Sequence, residues 1–115
     1  MSETKPSIDF EDFLKVDIRT GTVVDAVRNS KARVPAYILS VDFGELGVLK
    51  SSAQITENYR PEELCGKQVI AVVNFPPKRV AGVKSEVLIL GAVSRDHCVV
   101  LLEPSFVVEN GARIG

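Results

Sequence analysis

Tryptophan is absent from this chain, and aromatic residues of any kind are few: five Phe and two Tyr among 115 residues. Proteins that read single-stranded nucleic acid base by base stack those bases on aromatic side chains, so sequence-selective reading of that kind is not expected. Cysteine and histidine are equally sparse. Cys65, Cys98 and His97 are the whole supply, with no CxxC pair, whereas a structural zinc site takes about four N or S ligands. No metal site and no cofactor are expected, and the two thiols read as reduced, buried, small hydrophobes. An excess of one charge is missing too. Fourteen Lys and Arg stand against 15 Asp and Glu, for a formal net charge of −1. No overall basic field attracts a polyanion, so any RNA contact must come from local patches. No apolar run approaches the ~18 residues of a helical membrane span. Residues 1–13, MSETKPSIDFEDF, hold no apolar signal core, so a cytoplasmic protein that does not insert into membranes is expected.

Catalytic constellations are also missing. His97 lies in Ser94-Arg95-Asp96-His97, which reads as a hairpin turn and offers no nucleophile partner. Ser51-Ser52 lacks the strand–elbow–helix setting of GxSxG, and no Gly-rich phosphate loop is present. The adjacent acids Glu11-Asp12 and Glu62-Glu63 sit on short helical turns, where they are ordinarily solvated. The chain is not expected to be an enzyme.

What is present, 45% hydrophobic and 25% charged residues, is the composition of one ordinary globular domain. Residues 1–7 are polar and read as a flexible N-terminus; residues 8–115 read as a single domain. Ser7 followed by acids suggests a capped short helix through about Leu14. Val16, Ile18, Thr20, Thr22, Val24 and Ala26 alternate as one face of a half-buried strand. Further strands are expected over 37–43, 48–52, 69–73, 87–93 and 98–102, with a turn at Gly44-Glu45-Leu46-Gly47 and a helical turn at Pro61-Glu62-Glu63-Leu64 ended by Gly66. The result is all-β. A five-stranded oligonucleotide-binding (OB) Greek-key barrel with short terminal helical and strand extensions fits best, with residues 55–66 as the helical interruption between its third and fourth strands.

The most informative stretch is 72–91, VVNFPPKRVAGVKSEVLILG. An apolar run breaks at Pro76-Pro77, which stiffen the loop, and Lys78, Arg79 and Lys84 follow without an acid, around a bend at Gly82. A stiff loop of uncompensated cations is suited to an anion. The plainer reading is a well-made turn whose cations serve solubility.

The runs Asp17-Ile-Arg-Thr-Gly-Thr-Val, Ser51-Ser-Ala-Gln-Ile, Tyr59-Arg-Pro-Glu-Glu-Leu and Gly66-Lys-Gln-Val-Ile-Ala-Val-Val-Asn-Phe-Pro-Pro-Lys-Arg-Val-Ala-Gly-Val-Lys-Ser-Glu-Val-Leu resemble the tRNA-binding domain family in order and spacing. The resemblance runs from about Phe10 to Gly115. That family includes the C-terminal domains of many methionyl-tRNA synthetases and the cofactor domain of endothelial monocyte-activating polypeptide II. Ala32-Arg-Val-Pro-Ala, the Phe-Pro-Pro-Lys-Arg loop, and Glu86-Val87 where synthetase-type domains carry Gly-Met make the chain most similar to the family's export-related chaperone branch.

The resemblance implies a barrel that forms a homodimer through its terminal segments. It implies binding of unfolded or precursor polypeptides for export, with the secretion machinery as a further partner, or structure-led binding of tRNA and similar RNA. For a polypeptide, Phe75, Pro76 and Val80 are apolar contacts beside the polar anchors Ser52, Gln54 and Asn74. An extended client can also add to a free barrel edge through main-chain hydrogen bonds. For RNA, Lys78, Arg79 and Lys84, with Arg33 and Lys50 as neighbours, would meet phosphates. Ser85 would join them, and Asn74, Ser52 and Gln54 would meet sugars or base edges. Phe10, Phe13, Phe106, Val108 and Ile114 carry more apolar surface than frayed termini keep, which suggests a dimer interface. The plainer alternatives are that Phe75 and Val80 are core and that both termini fold back on their own barrel. A docking module that recruits a partner enzyme or a secretion component is a third reading.

Overall fold

A long first strand organises the molecule. The structure is a computed structural model and describes residues 3–115. Strand β1 (Ile18–Arg28) is long enough to serve two neighbours. Its first half pairs antiparallel with β4 (Gln68–Val72) and its second half with β2 (Tyr37–Asp42). With β3 (Val48–Ala53) beyond β2, and β7 (Leu88–Ile89) beyond β4, the sheet runs β3-β2-β1-β4-β7. Helix α2 (Pro61–Leu64) stands between β3 and β4. This is the expected OB-type barrel, five-stranded, antiparallel and nearly closed.

The core follows from alternation. Tyr37, Leu39 and Val41 of β2, with Phe43 just beyond it, are all fully buried against Val23, Val69, Ala71 and Leu64; each large apolar side chain so placed contributes about 1.5–3 kcal/mol. Gly21 is required among them, because a Cβ there would stand 2.6 Å from Val41 Cγ1 and 2.8 Å from Phe43 Cδ1. Tyr37 Oη donates to Tyr59 O at 2.6 Å, and Tyr59 Oη accepts the Leu101 N–H at 3.0 Å. Glu63 accepts the Arg60 N–H at 3.0 Å, capping α2, and Gly66 (φ +91°) turns the chain out of it.

Several expectations are corrected. The first helix, α1 (Phe10–Leu14), starts after Asp9 rather than Ser7, and Asp9 makes no side-chain cap bond. Of the expected flexible residues 1–7, Met1 and Ser2 lie outside the described residues; 3–7 are exposed and form neither helix nor strand. In β1 the register shifts between Val23 and Asp25. This bulge puts Val23 inside (1% exposed) and Val24 outside (51%), reversing the alternation there. The run 87–93 is not one strand: it breaks into β7 and β8 (Gly91–Ser94), and β8 pairs with β9 (Cys98–Leu101) as a separate ribbon. Both cysteines are exposed rather than buried. Cys65 follows α2 where the chain turns outward, and Cys98 occupies a left-handed conformation (φ 59°) at the ribbon's turn.

The C-terminal tail is laid against the free edge of the first half of β1. Thr20 and Ile18 exchange main-chain bonds with Gly111, Ala112 and Ile114, and the Gln68 amide brackets Val108 through its N–H and carbonyl. That backbone folds back on its own barrel. Its side chains do not all follow, for Phe106 is 81% exposed and Val107 88%.

Candidate functional site

The loop after Pro76-Pro77 is a β-hairpin. Strands β5 (Lys78–Val80) and β6 (Val83–Ser85) pair across Ala81 and Gly82, both with positive φ (47° and 83°), a mirror-image two-residue turn that matches strand twist. Register sets Arg79 directly opposite Lys84 and Lys78 opposite Ser85. Like charges facing each other across a strand pair cost stability, and here no acid offsets them. The loop joining β1 to β2 is docked on this turn: the buried Asn29 donates to Ala81 O at 3.4 Å and accepts the Lys31 N–H at 3.0 Å. Lys31 thereby lies against the hairpin, its Nζ 3.7 Å from where a Gly82 Cβ would be. Arg33 is two residues further along the same loop. Among the described residues, no carboxylate oxygen lies within 4.0 Å of the side-chain nitrogens of Lys31, Arg33, Lys50, Lys78, Arg79 and Lys84.

Beside the hairpin the barrel wall is incomplete. Strands β3 and β7 are the two ends of the sheet order, and no ladder joins them. The seam is held instead by Lys50 and Ser52 of β3. The Lys50 N–H donates to Glu86 Oε1 (3.1 Å), the Ser52 N–H to Ser85 Oγ (3.1 Å), and the Glu86 N–H to Lys50 O (2.7 Å). Two clefts open along it. One, of about 310 Å³, is lined by Ser52, Phe75, Pro76, Lys78, Val80 and Leu88, with Ser85 and Glu86 at its wall. The other, about 320 Å³, shares Ser52, Val80 and Leu88 and adds Gln54, Ile55, Val99 and Leu101. Together they form one apolar groove with cations at one lip.

The structure therefore brings Ser52, Phe75, Pro76, Val80, Lys78 and Ser85 to one cleft and Gln54 to its neighbour. Phe75 is 52% exposed, not core. Asn74 is not part of the groove lining. Its Oδ1 accepts the Asp17 N–H (2.9 Å) and its Nδ2 donates to Lys15 O (2.7 Å), which pins the entry to β1. Sequence reasoning missed Leu88, whose side chain is 49% exposed at the centre of the groove, and Lys31, whose place beside the hairpin follows only from the fold.

A third cleft, about 380 Å³, lies between the termini, with Phe13, Leu14, Asn74 and Ile114 in its wall. There Arg19 donates to Asp17 Oδ1 at 2.6 Å and to Gly111 O at 3.0 Å; the bond to Asp17 raises its already high pKa, so it stays cationic. Phe10 is exposed and its ring centroid is 6.0 Å from that of Phe13. Among the described residues no group of three or more His, Cys, Asp or Glu is arranged to hold a metal, and no helix is long and apolar enough to cross a membrane.

Comparison with known proteins agrees with this geometry. The family model described as "Putative tRNA binding domain" matches residues 18–113. The crystal structure of the chaperone CsaA from Bacillus anthracis superposes with a TM-score of 0.91 at 57% identity, over 96% of this chain and 100% of that one. The CsaA chaperone protein from Picrophilus torridus superposes at 0.90 and 47% identity, over 95% and 100%. A methionine–tRNA ligase from Methanosarcina mazei is 40% identical over 114 residues, 97% of this chain but only 16% of the ligase. The chain thus spans about a sixth of the length of the curated relatives it matches.

Proposed function

The chain belongs to the tRNA-binding domain family, in its CsaA-type branch, and from that membership we propose that it is a molecular chaperone that binds unfolded or precursor polypeptides for export. The observation that carries this reading is the groove. Phe75, Pro76, Val80 and Leu88 offer apolar surface in two adjoining clefts, an arrangement suited to successive side chains of an unfolded segment. No catalytic role is proposed; ligase activity is known of proteins of which this chain matches a small part. The reading includes a cytoplasmic location, hand-over to the secretion machinery, and a homodimer built on Phe10, Phe13, Phe106, Val108 and Ile114, whose apolar side chains flank the terminal cleft and tail. A dimer sets two grooves on one particle and raises avidity for one client chain; the mass in solution across micromolar dilutions reads it directly.

The test is a titration against a precursor polypeptide, unfolded and folded. The unfolded form should bind and the folded form should not. Phe75 is half exposed, so a client gains roughly half of its burial, and Phe75→Ser should weaken binding about five- to tenfold. Equal binding of both forms refutes the reading.

A second reading is favoured by a separate observation. Among the described residues, the side-chain nitrogens of Lys31, Arg33, Lys78, Arg79 and Lys84, with Lys50 on β3, have no carboxylate partner and suit an RNA backbone of tRNA-like shape, which needs few aromatics.

A further inference from the structure

We infer that the groove takes its occupant as an extended strand laid along the outer edge of β3, making the hydrogen bonds that the Ser85 and Glu86 side chains and the Glu86 N–H now make in its place. This rests on the polypeptide reading above and names the binding mode.

At the seam no ladder joins β3 to β7. A closed barrel would satisfy the outward N–H groups of β3 with carbonyls of β7, yet those of Lys50 and Ser52 are satisfied by a carboxylate and a hydroxyl. Both are side-chain acceptors that can rotate away; the third bond of the seam, Glu86 N–H to Lys50 O, is main chain, so residues 85 and 86 shift outward for the occupant to enter. A bare edge left open would be a template for uncontrolled pairing, and these two groups blunt it. The donors are two residues apart, ~7 Å along the strand, which is the spacing of carbonyls along one edge of an extended peptide. A peptide carbonyl replaces each acceptor one for one, and a peptide N–H replaces that of Glu86 at Lys50 O. The β3 groups of Lys50 and Ser52 stay paired throughout, and the one donor released, the N–H of the half-buried Glu86, turns to water as residues 85 and 86 shift outward, which limits the desolvation penalty.

The clefts agree with the same repeat. They meet at Ser52, Val80 and Leu88, so side chains at positions i and i+2 of the bound strand enter one each. This is strand addition, with affinity from the main chain and selectivity from alternate pockets. Charge completes the specification. Lys78 lines the first cleft, and Arg79 and Lys84 stand on the same hairpin with no acidic partner among the described residues. The occupant is therefore an extended polypeptide segment with two large apolar residues at alternate positions and an acidic residue at the Lys78 end.

The test uses labelled ten-residue peptides of alternating Leu and Thr with an Asp near one end, bound to the full-length protein and followed by anisotropy. Backbone N-methylation of every second residue leaves all side chains in place. One of the two methylated sets should lose about tenfold or more, because its pairing edge is blocked, while the other stays within about twofold. Removing the placeholders, by Glu86→Ala or separately Ser85→Ala, should tighten the unmodified peptide severalfold, because the free edge is no longer satisfied. Equal binding of both methylated sets and the parent overturns strand addition while leaving the chaperone reading intact. Binding of the unfolded precursor without any peptide binding also overturns it. Failure of both peptide and precursor removes the chaperone reading itself. Salt-steep occupation of the groove by tRNA, with no peptide bound, overturns the inference in favour of nucleic acid.

Discussion

The hairpin cations give the sharpest quantitative test of what the surface is for. Lys31, Arg33, Lys78, Arg79 and Lys84 lie on two loops that pack together through Asn29 and Ala81, and among the described residues no carboxylate is within 4.0 Å of their side-chain nitrogens. If all five neutralise phosphates, the slope of log K against log salt is about −3.5 for single-stranded and −4.5 for duplex RNA-like contacts, so a fourfold rise in salt weakens binding roughly 100- to 500-fold. The Lys78→Ala/Arg79→Ala/Lys84→Ala variant retains two of the five, and the same rise should then cost only about seven- to twelvefold. The assay is fluorescence anisotropy with total tRNA between 50 and 200 mM salt, on both proteins.

Stability supplies the control. Arg79 and Lys84 face each other across β5 and β6, so their loss should leave the unfolding free energy unchanged or raise it slightly, by a few tenths of a kcal/mol. A wild-type salt slope near zero, or one that the triple substitution does not move, would refute the assignment of these cations to an RNA backbone. A slope that falls only because the variant unfolds would be recognised from the melting curve. Polypeptide binding, which the apolar groove carries, should survive the same salt range with little change.

Two further outcomes test the fold that holds the site. Gly21→Ala drives a Cβ to within 2.6–2.8 Å of the buried Val41 and Phe43 side chains. It should cost about 1–3 kcal/mol by overpacking, or roughly 4–12 °C in melting temperature for a chain of 115 residues; an unchanged melt would mean that this part of the core has slack. The Glu63 carboxylate is held below its ordinary pKa by the Arg60 N–H, with the Arg60 guanidinium assisting. Its contribution is therefore present above the usual carboxylate range and is lost as pH falls through the lowered value. The advantage of the wild-type protein over Glu63→Gln in urea midpoint should shrink from pH 7 to pH 3, and a constant difference would show that the cap carries no pH dependence.

The parts of the molecule that were legible in the sequence are those where one physical cause dominates. Strand β2 is readable because Tyr37, Leu39, Val41 and Phe43 all face a dry core, so period two survives intact. Strand β1 is not, because one bulged residue reverses the phase between Val23 and Asp25, and nothing local in a Val-Val-Asp run marks where an extra residue enters. The apolar run from Val87 fits one strand or two equally well. The deciding residue is Gly91, where a Cβ would meet Val99 Cγ1 at 2.7 Å, and a glycine inside a strand pattern was the available sign. The hairpin turn carries Ala-Gly rather than the Asn-Gly or Asp-Gly that usually announces it.

The same division holds for the site. Unpaired cations are visible in a sequence because the missing acids are visible. Lys31 is not, since its nearness to Gly82 depends on a loop 51 residues away in the chain. Asn74 shows the opposite error: beside Phe75-Pro76 it reads as a surface anchor, yet both ends of its amide are engaged by Asp17 and Lys15. Residue type alone does not separate an anchor for a ligand from a clamp on the chain. Ser85 and Glu86 fall between these cases. They too are engaged, but by backbone donors on a strand edge that lacks a strand partner. A clamp on a closed structure has no substitute, whereas a clamp on an unladdered edge can be exchanged for any extended main chain, which is why the seam rather than the cation cluster carries the more specific inference.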